Sequence, residues 1–299
     1  MSQIWNTRAF SLSILTQGIF RMGSHETIKR EVIEMFNRAA PTYGQVGTKQ
    51  FTYFGRLLVE RLAIPPGAKV LDVASGRGAI LFPAAEAAGA TGLAIGGDLA
   101  PEMVAQTQDE IERRGLAQAS IAVMDAEQLE FADETFDFIT CGFALHLFDF
   151  ERALPNYHRF LKPDGTFAAI IPSRPSAEAL APWTWLFELT RAVFPPDFVP
   201  PPAWNAPRRL NTPELAEAAL QRAGFSSVWT EQHETTLYFR DERDWWDWEW
   251  SQGSRFWLEG MSAEGLARFE REAMEHLRQM QTPQGIPMVD NSLFMFGRK

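Results

Sequence analysis

The most chemically informative stretch of this sequence is a glycine-rich turn that follows a short apolar run. Residues 70–73 read as a buried strand, and residues 74–78 (Ala-Ser-Gly-Arg-Gly) form a turn before a helix-compatible segment. In doubly wound folds this arrangement brings backbone close to a nucleotide, and glycine is needed where a Cβ atom would block the turn or the ligand. A dinucleotide fingerprint would have a third glycine near Ala79 and no acid at Asp72. The sequence therefore predicts a nucleotide-type site that departs from that fingerprint.

Two further aspartates end the next two predicted strands. Asp98 closes residues 91–98, and Asp125 lies near the end of residues 121–126. An acid at the end of the second strand suits the two hydroxyl groups of a ribose. Asp98 could also favour a helix start, and Asp125 could be an ordinary loop acid. We favour a ligand role for both, more strongly for Asp98.

The elements that must position these acids form a regular series along the chain. Apolar runs predict seven strands, and amphipathic stretches with caps predict helices between them. The series predicts an α/β fold, a doubly wound, mostly parallel seven-stranded sheet of Rossmann-like type with helical and aromatic lid insertions. The remaining strands are predicted at 136–141, 161–171, 227–239 and 292–298, and helices at 24–40 (N-cap Ser24), 50–63 and 212–223 (N-cap Thr212).

This succession resembles the class I S-adenosylmethionine-dependent methyltransferases, in particular the small-molecule branch with the quinone C-methyltransferases and natural-product methyltransferases. The resemblance covers residues 34–173 well and the C-terminal end loosely. One such motif would be weak evidence, whereas five in the right order and spacing are specific. The resemblance implies S-adenosylmethionine as the cofactor and S-adenosylhomocysteine as the product.

The resemblance also implies a role for each motif at the cofactor. Asp72 and the backbone of residues 74–78 would flank the methionine part, although Ala74 replaces a common glycine. Asp98 would hold the ribose hydroxyls, and Asp125 would accept a hydrogen bond from the adenine amino group. The full set of expected cofactor-binding residues is Asp72, Ala74, Ser75, Gly76, Gly78, Asp98, Leu99, Met103, Asp125, Ala126 and Cys141.

Two side chains are candidates for a catalytic role. His146 lies just past the fourth strand, in a region that borders the methyl group in the family, but packing is slightly favoured for it. Tyr43 resembles the tyrosine of the family's N-terminal lid and could equally be a packing residue. Methyl transfer is an in-line displacement that depends on alignment, so a general base is optional. The acids Glu188, Asp244 and Glu249 are possible bases, although such acids more often form solvated faces.

Two segments extend the minimal fold and are rich in large rings. Insertions after parallel strands emerge at the carboxyl edge of the sheet, where the ligand crevice lies. We interpret both as lids around an aromatic, water-poor acceptor pocket, although most of the ten tryptophans would be structural. The predicted division is an N-terminal arm and lid helices at 1–63, a core at 64–173, 211–240 and 291–299, and lids at 174–210 and 241–290.

Composition narrows the function classes further. The formal net charge of −10 and the lack of a basic stripe argue against a nucleic-acid partner. The single cysteine, Cys141, excludes an internal disulfide and a cysteine-rich metal site, and fits a reducing cytoplasm; no metal is expected. No apolar run approaches the roughly 20 residues that span a bilayer. Residues 1–22, with Met22 as an alternative start, are expected to form an arm that packs on the core or joins subunits of a homo-oligomer.

The function that these features favour is methylation of a hydrophobic small molecule at oxygen or carbon, with a secondary-metabolite or quinone-like acceptor. One alternative keeps the fold and cofactor but uses the site for cyclisation, alone or triggered by methylation. Another is an NAD(P)-dependent oxidoreductase, which the glycine-rich turn and Asp98 suggest and Asp72 and Ala79 disfavour. A non-catalytic binding protein is the third, and the intact turn at 74–78 disfavours it.

Overall fold

The centre of the protein is a seven-stranded sheet, seen in a computed structural model that describes residues 25–173, 176–194 and 210–299. The strand order is β3-β2-β1-β4-β5-β7-β6; the first five strands are parallel, and β7 is antiparallel to both of its neighbours. The predicted doubly wound, mostly parallel sheet is confirmed. The strands are β1 (Lys69–Val73), β2 (Leu93–Asp98), β3 (Ala119–Val123), β4 (Phe136–Gly142), β5 (Leu161–Pro172), β6 (Ser227–Phe239) and β7 (Ile286–Arg298).

Helices connect the strands and cover the sheet. The predicted N-cap Thr212 is observed, since its hydroxyl accepts a hydrogen bond from the backbone N–H of Leu215 at 3.4 Å; Ser24 lies outside the described residues. No described helix is both long and apolar enough to cross a bilayer. The helices are α1 (His25–Ala39), α2 (Gln50–Leu62), α3 (Leu81–Ala88), α4 (Pro101–Arg114), α5 (Phe150–Phe160), α6 (Ala177–Leu180), α7 (Thr184–Val193), α8 (Pro213–Arg222), α9 (Glu242–Trp250), α10 (Arg255–Gly260) and α11 (Ala263–Met280).

Two strands differ from the prediction at their ends. β3 ends at Val123, so Asp125 follows the strand instead of lying within it. The reason is local, because the Asp125 side chain accepts a hydrogen bond from the backbone N–H of Glu127 and turns the chain away from the sheet. β7 begins at Ile286, where it pairs with the last residue of β6. Residues 286–290, predicted as part of the second insertion, therefore belong to the sheet.

Successive residues of a strand face opposite sides of the sheet, which gives the protein two core layers. Leu71 of β1 packs into the layer under α5 and α8. Its neighbour Val70 packs into the layer under α2 and α3. The layers hold the carboxyl ends of β1, β2 and β4 side by side, which is the edge that the sequence predicts for ligand binding.

A third apolar cluster, here called the insertion cluster, lies on α7, α9, α10 and α11. It includes the last residue of β6 and the first residue of β7, so the second insertion leaves the sheet at its carboxyl edge, as predicted. Its buried rings contact one another at centroid distances of 5.2 to 6.4 Å. The described rings of the two insertions therefore form a core of their own. The buried aromatic members are Trp183, Phe194, Phe239, Trp245, Trp246, Trp248, Trp257 and Phe269.

Candidate active site

Two adjoining cavities of about 330 and 340 Å³ open at the carboxyl ends of β1, β2 and β4. The first, here called the glycine-turn cavity, lies over residues 74–79 and Asp72. The second, here called the aspartate cavity, lies beside Asp98 and Asp125 and has mostly apolar walls. Their shared lining makes them two ends of one cleft. The residues that line both are Tyr43, Ala74, Gly76, Gly142 and Phe143.

The glycine-rich turn adopts the backbone conformations that its sequence predicts. Gly76 and Gly78 have φ angles of 52° and 77°, in the left-handed region that glycine tolerates. A Cβ atom on Gly78 would lie 2.6 Å from the ring of Phe82, so only glycine fits there. Ala74 also has a φ of 52°, which costs an L-residue roughly 1 kcal/mol. This strain explains why a glycine is the commoner residue at the position of Ala74.

Asp72 is a buried acid with one oxygen left open to the glycine-turn cavity. Its side chain is 1% exposed, and Oδ1 accepts a hydrogen bond from the hydroxyl of Thr140 at 2.8 Å. Oδ2 is buried and has no hydrogen-bond partner among the described residues. Burial raises the pKa of Asp72 to about 7. The carboxyl group is therefore placed to accept a hydrogen bond from a cationic donor in the cavity.

Asp98 holds the glycine-rich turn against the start of α4. Its Oδ2 accepts a hydrogen bond from the backbone N–H of Gly76 at 2.8 Å, and its Oδ1 accepts one from Ala100 at 2.9 Å. Burial raises the pKa of Asp98. Because each carboxylate oxygen can accept more than one hydrogen bond, Asp98 can support α4 and still receive two hydroxyl groups. The two roles expected for Asp98, ribose binding and support of a helix start, are thus compatible.

Asp125 lines the aspartate cavity, but its carboxylate is engaged by α1. The ammonium group of Lys29 lies 2.6 Å from Oδ2 of Asp125 and 2.8 Å from Oε2 of the buried Glu127. Partial burial opposes the charge of Lys29, but hydrogen bonds to both carboxylates outweigh it and raise the pKa of Lys29. This contact closes α1 over the cavity. Sequence reasoning missed Lys29 and Glu127 because only the packing of α1 brings them together.

Aromatic rings separate the two cavities. Tyr43 stacks on Phe51 at a centroid distance of 4.8 Å, and Phe51 meets Phe143 edge to face at 5.4 Å. Burial raises the pKa of Tyr43, so its phenol keeps its proton. Phe143 has a φ of 56°, which is rare for a bulky residue, and it lines both cavities, so it is a candidate functional position. No sequence signal indicated Phe143.

His146 and Cys141 have different surroundings. His146 lines the aspartate cavity, and burial lowers its pKa to about 4, so the imidazole is neutral at pH 7. Cys141, expected at the cofactor, is fully buried in the core layer under α5 and lines neither cavity. The alternation of β4 explains this position, since Gly142 faces the cleft and Cys141 faces the core. The other expected residues that line the cleft are Ser75, Leu99, Met103 and Ala126.

The glycine-turn cavity also carries arginines that sequence reasoning did not single out. Arg77 donates from Nη1 to the carbonyl oxygen of Ala40, at the end of α1. Its Nε is buried without a hydrogen-bond partner among the described residues. Arg56 of α2 lines the same cavity. The cavity therefore presents an open acceptor on Asp72 and an open donor on Arg77.

The described residues of the insertions line neither cavity. The three acids considered as bases differ in exposure. Glu188 is exposed, whereas Asp244 is 4% exposed and is held by Arg240 and the backbone N–H of Gly47. Glu249 is 2% exposed and belongs to no ion pair among the described residues. The expectation that such acids form solvated faces is thus wrong for Asp244 and Glu249.

Comparison with known proteins identifies the relationship that this cleft suggests. Residues 70–165 match a family model described as a methyltransferase domain. The chain is 30% identical over 254 residues to nocamycin O-methyltransferase of Saccharothrix syringae, covering 81% of this chain and 89% of that protein. It is 38% identical over 145 residues to aklanonic acid methyltransferase DauC of Streptomyces sp. (strain C5), covering 48% of this chain and 66% of that protein.

Solved structures share the fold at low sequence identity. The YcgJ protein of Bacillus subtilis is 20% identical with a TM-score of 0.55, covering 83% of this chain and 98% of that chain. The cyclase SpnF is 16% identical with a TM-score of 0.56, covering 90% and 96%. These likenesses concern the fold alone, whereas the nocamycin O-methyltransferase match spans nearly the whole relative. The chain belongs to the S-adenosylmethionine-dependent methyltransferases and is an enzyme of their small-molecule branch.

Proposed function

We propose that this enzyme transfers the methyl group of S-adenosylmethionine to an oxygen or carbon atom of a hydrophobic small molecule, of the secondary-metabolite or quinone-like type, in the cytoplasm. The observation that carries the proposal is the two-ended cleft, with the open acid Asp72 at one end and Asp98 between apolar walls at the other. The printed names of the relatives, which concern nocamycin and aklanonic acid, support a small-molecule acceptor.

The residues of the cleft fit the chemical groups of S-adenosylmethionine. Oδ2 of Asp72 would accept a hydrogen bond from the methionyl ammonium group, and Nε of Arg77 would donate one to the carboxylate. The bare glycine-rich turn leaves room between them. Asp98 would receive the ribose hydroxyls, and Leu99 and Met103 would pack on the adenine. When bound, the cofactor supplies an electrophilic methyl group on a sulfonium.

The rings between the two cavities would align the reaction. Tyr43 and Phe143 line both cavities and therefore lie where the sulfonium would sit. Aromatic faces attract cations, so these rings would hold the sulfonium in place and exclude water from it. Tyr43 keeps its proton and acts as a wall rather than a base. His146 is neutral, so its imidazole would be able to accept a proton from an acceptor that reaches it.

The Asp125 carboxylate would have two partners, one from the protein and one from the cofactor. Its carboxylate pairs with Lys29 of α1. An adenine amino group in the aspartate cavity would add a second donor to the same carboxylate. We infer that Asp125 couples the closure of α1 to cofactor binding.

The proposal is tested by calorimetric titration of S-adenosylmethionine and S-adenosylhomocysteine into the protein. Replacement Asp98→Ala removes the acceptor for both ribose hydroxyls and should weaken binding by about 100-fold, or about 3 kcal/mol. Asp133→Ala, which removes an exposed acid that pairs with Arg159 at the surface, should bind like wild type. Absence of binding to the wild type would overturn the proposal. The mass of the product, with or without an added methyl group, separates methylation from cyclisation.

The N-terminal arm is a separate proposal. Residues 1–22 are mildly apolar around positions 10–20, and we propose that they support a homo-oligomer. Size-exclusion chromatography of the chain begun at Met22 should then show a smaller assembly than the full chain. An assembly of unchanged size would show that the arm is not part of the interface between subunits.

A further inference from the structure

The lining of the glycine-turn cavity carries more positive than negative charge. Among the described residues that line it, the charged ones are four arginines and two acids. The sequence as a whole has a formal net charge of −10, so this cavity is a local exception. A cleft lined by one sign of charge concentrates ligands of the opposite sign. The charged residues of the lining are Arg56, Arg77, Arg113, Arg114, Asp72 and Glu110.

Most of these charges already have a partner or a role at the cofactor. Arg113 and Arg114 both pair with Glu110. In the proposed cofactor site, Arg77 binds the methionyl carboxylate and Asp72 binds the methionyl ammonium group. Burial, together with the nearby charge of Arg113, lowers the pKa of Arg77. The cavity is therefore a place that disfavours a further cation and favours an anion.

Arg56 is the charged residue that these interactions leave over. Its guanidinium makes no hydrogen bond and no ion pair within residues 25–173, 176–194 and 210–299. Arg61 of the same helix, in contrast, pairs with Glu231 at 2.8 Å. Arg56 is exposed and lines the cavity one helical turn after Thr52, which lines it too. Because a guanidinium offers paired N–H donors to a carboxylate, Arg56 is free to bind an anion that enters the cavity.

Two contacts hold α2, and with it Arg56, against the cleft. A Cβ atom on Gly55 would lie 2.3 Å from the carbonyl oxygen of Ala79, so the helix backbone lies directly on the residue after the glycine-rich turn. Near the start of α2, Phe51 stacks on Tyr43 at a centroid distance of 4.8 Å, and Tyr43 lines both cavities. The same helix thus reaches the junction of the two cavities and carries a free cation within one of them.

We propose that Arg56 binds a carboxylate group of the acceptor, and that the enzyme therefore prefers hydrophobic acids to uncharged compounds of the same shape. The inference deepens the proposed methyl transfer and rests on it. The cavity of about 330 Å³ is as large as sites that hold a whole small molecule, so it has room beyond the methionyl group. Phe51, Phe143 and Ile170 give that room apolar walls, which suit the rest of a hydrophobic acceptor.

The aspartate cavity would not accept the same anion. Its described lining contains the acids Asp98, Asp125 and Glu127, and Lys29 pairs with the last two of them. Like charges at short range raise the energy of a bound carboxylate. The charge distribution of the cleft therefore sets a direction, with the adenosine part of the cofactor toward the acids and the anionic group of the acceptor toward Arg56.

The test compares 2-naphthoate with 2-naphthol, which has the same ring system and no carboxylate. Each is titrated by calorimetry into the full-length protein saturated with S-adenosylhomocysteine. Wild type should bind naphthoate at least tenfold more tightly than naphthol, and the preference should shrink at high salt because screening weakens charge attraction. Arg56→Met should remove the preference, and Arg56→Lys should retain part of it. Arg152→Met, which removes an exposed arginine of α5 that lines neither cavity, should match wild type.

Two further measurements separate acceptor binding from other roles of Arg56. The melting temperature of Arg56→Met without added ligand should equal that of wild type, because the exposed side chain has no partner to lose. The affinity for S-adenosylhomocysteine should also be unchanged, since the methionyl carboxylate is assigned to Arg77. A fall in either quantity, equal binding of the two probes, preference for naphthol, or binding of neither would overturn the inference. Failure of S-adenosylhomocysteine to bind wild type would instead refute the proposed function itself.

Discussion

The cofactor cleft and the insertion cluster bury their residues in opposite ways. In the cleft, Ala74 and Phe143 hold left-handed backbone, and Asp72 keeps an oxygen unpaired. In the insertion cluster, rings pack edge to face, tilted or stacked against each other, and the caps of α9 and α11 are satisfied by Asp241 and Ser262. The cleft therefore stores strain and open hydrogen-bonding capacity that a ligand can use, whereas the cluster supplies stability.

The contrast makes the exceptions within each region informative. Glu249 and Trp245 carry open polar atoms inside the cluster that is otherwise apolar, which is the property of the cleft. Cys141 lies near the end of β4, next to the cleft, but it is fully buried in the core layer, as a packing residue would be.

The largest expected effect tests the cluster as a source of stability. Trp246 is 5% exposed and contacts Trp245, Trp250 and Phe269. Trp246→Ala should lower the free energy of unfolding by about 3–5 kcal/mol, because it leaves a large cavity. Urea unfolding measures the change. Tyr238→Ala removes an aromatic ring that is 42% exposed and should cost less than about 1 kcal/mol; equal losses would mean that the cluster is not a packed core.

The next largest effect is the pH dependence of stability, which tests whether Asp72 in the cleft is buried. Burial raises the pKa of Asp72 from 3.8 to about 7, so the folded ligand-free protein binds this proton more tightly than the unfolded chain. The contribution of the Asp72 proton to stability is fully present below pH 3.8 and is lost as the pH rises through about 7, by about 4 kcal/mol in total.

Asp72→Asn should flatten this loss while weakening S-adenosylmethionine binding by about tenfold or more. Unfolding free energies at pH 5 and pH 7.5 measure the first effect, and calorimetry measures the second. Asp133→Asn should keep the wild-type pH dependence. An Asp72→Asn protein with the same pH dependence as wild type would show that the acid is not desolvated.

A smaller effect tests the closure of the cleft by α1. Lys29→Met removes the cation that pairs with Asp125 and with Glu127, whose side chain is 1% exposed, so that this buried acid loses the ion pair with Lys29. The expected loss of unfolding free energy is about 2 kcal/mol, with faster amide hydrogen exchange in α1. Arg268→Met breaks an exposed pair with Glu272 and should cost less than about 0.5 kcal/mol. Unchanged exchange in α1 would mean that Lys29 does not hold it.

The smallest effect tests the strain of the glycine-rich turn. Ala74→Gly relieves a left-handed alanine but adds freedom to the unfolded chain, so the net gain should lie between zero and about 1 kcal/mol. Ala85→Gly, at a buried position within α3, should instead cost about 1 kcal/mol or more. Thermal unfolding distinguishes the two signs. A loss at Ala74 would show that the turn is not strained.

Much of the cleft was predictable because its signals are local. The order of strand, turn and helix at 69–88 follows from the types of neighbouring residues. The acids Asp72, Asp98 and Asp125 were identifiable from their positions in or just after predicted strands. Gly76 and Gly78 were identifiable because a tight turn after a strand requires a left-handed backbone, which glycine adopts most readily. Cys141 was placed at the cofactor because its strand ends there, and the side to which it points depended on the register of β4 within the sheet.

The sequence by itself determined the class of fold, the cofactor and the motif acids, because strand periodicity, turn chemistry and the order of motifs are properties of neighbouring residues. Only the tertiary structure decided which groups meet across long separations. Lys29 and Asp125 are 96 positions apart, and Gly47 and Asp244 are 197 apart. Burial then decided the state of each acid, since Asp244 and Glu249 look alike in sequence, but Arg240 pairs with Asp244, whereas burial raises the pKa of Glu249 to about 7.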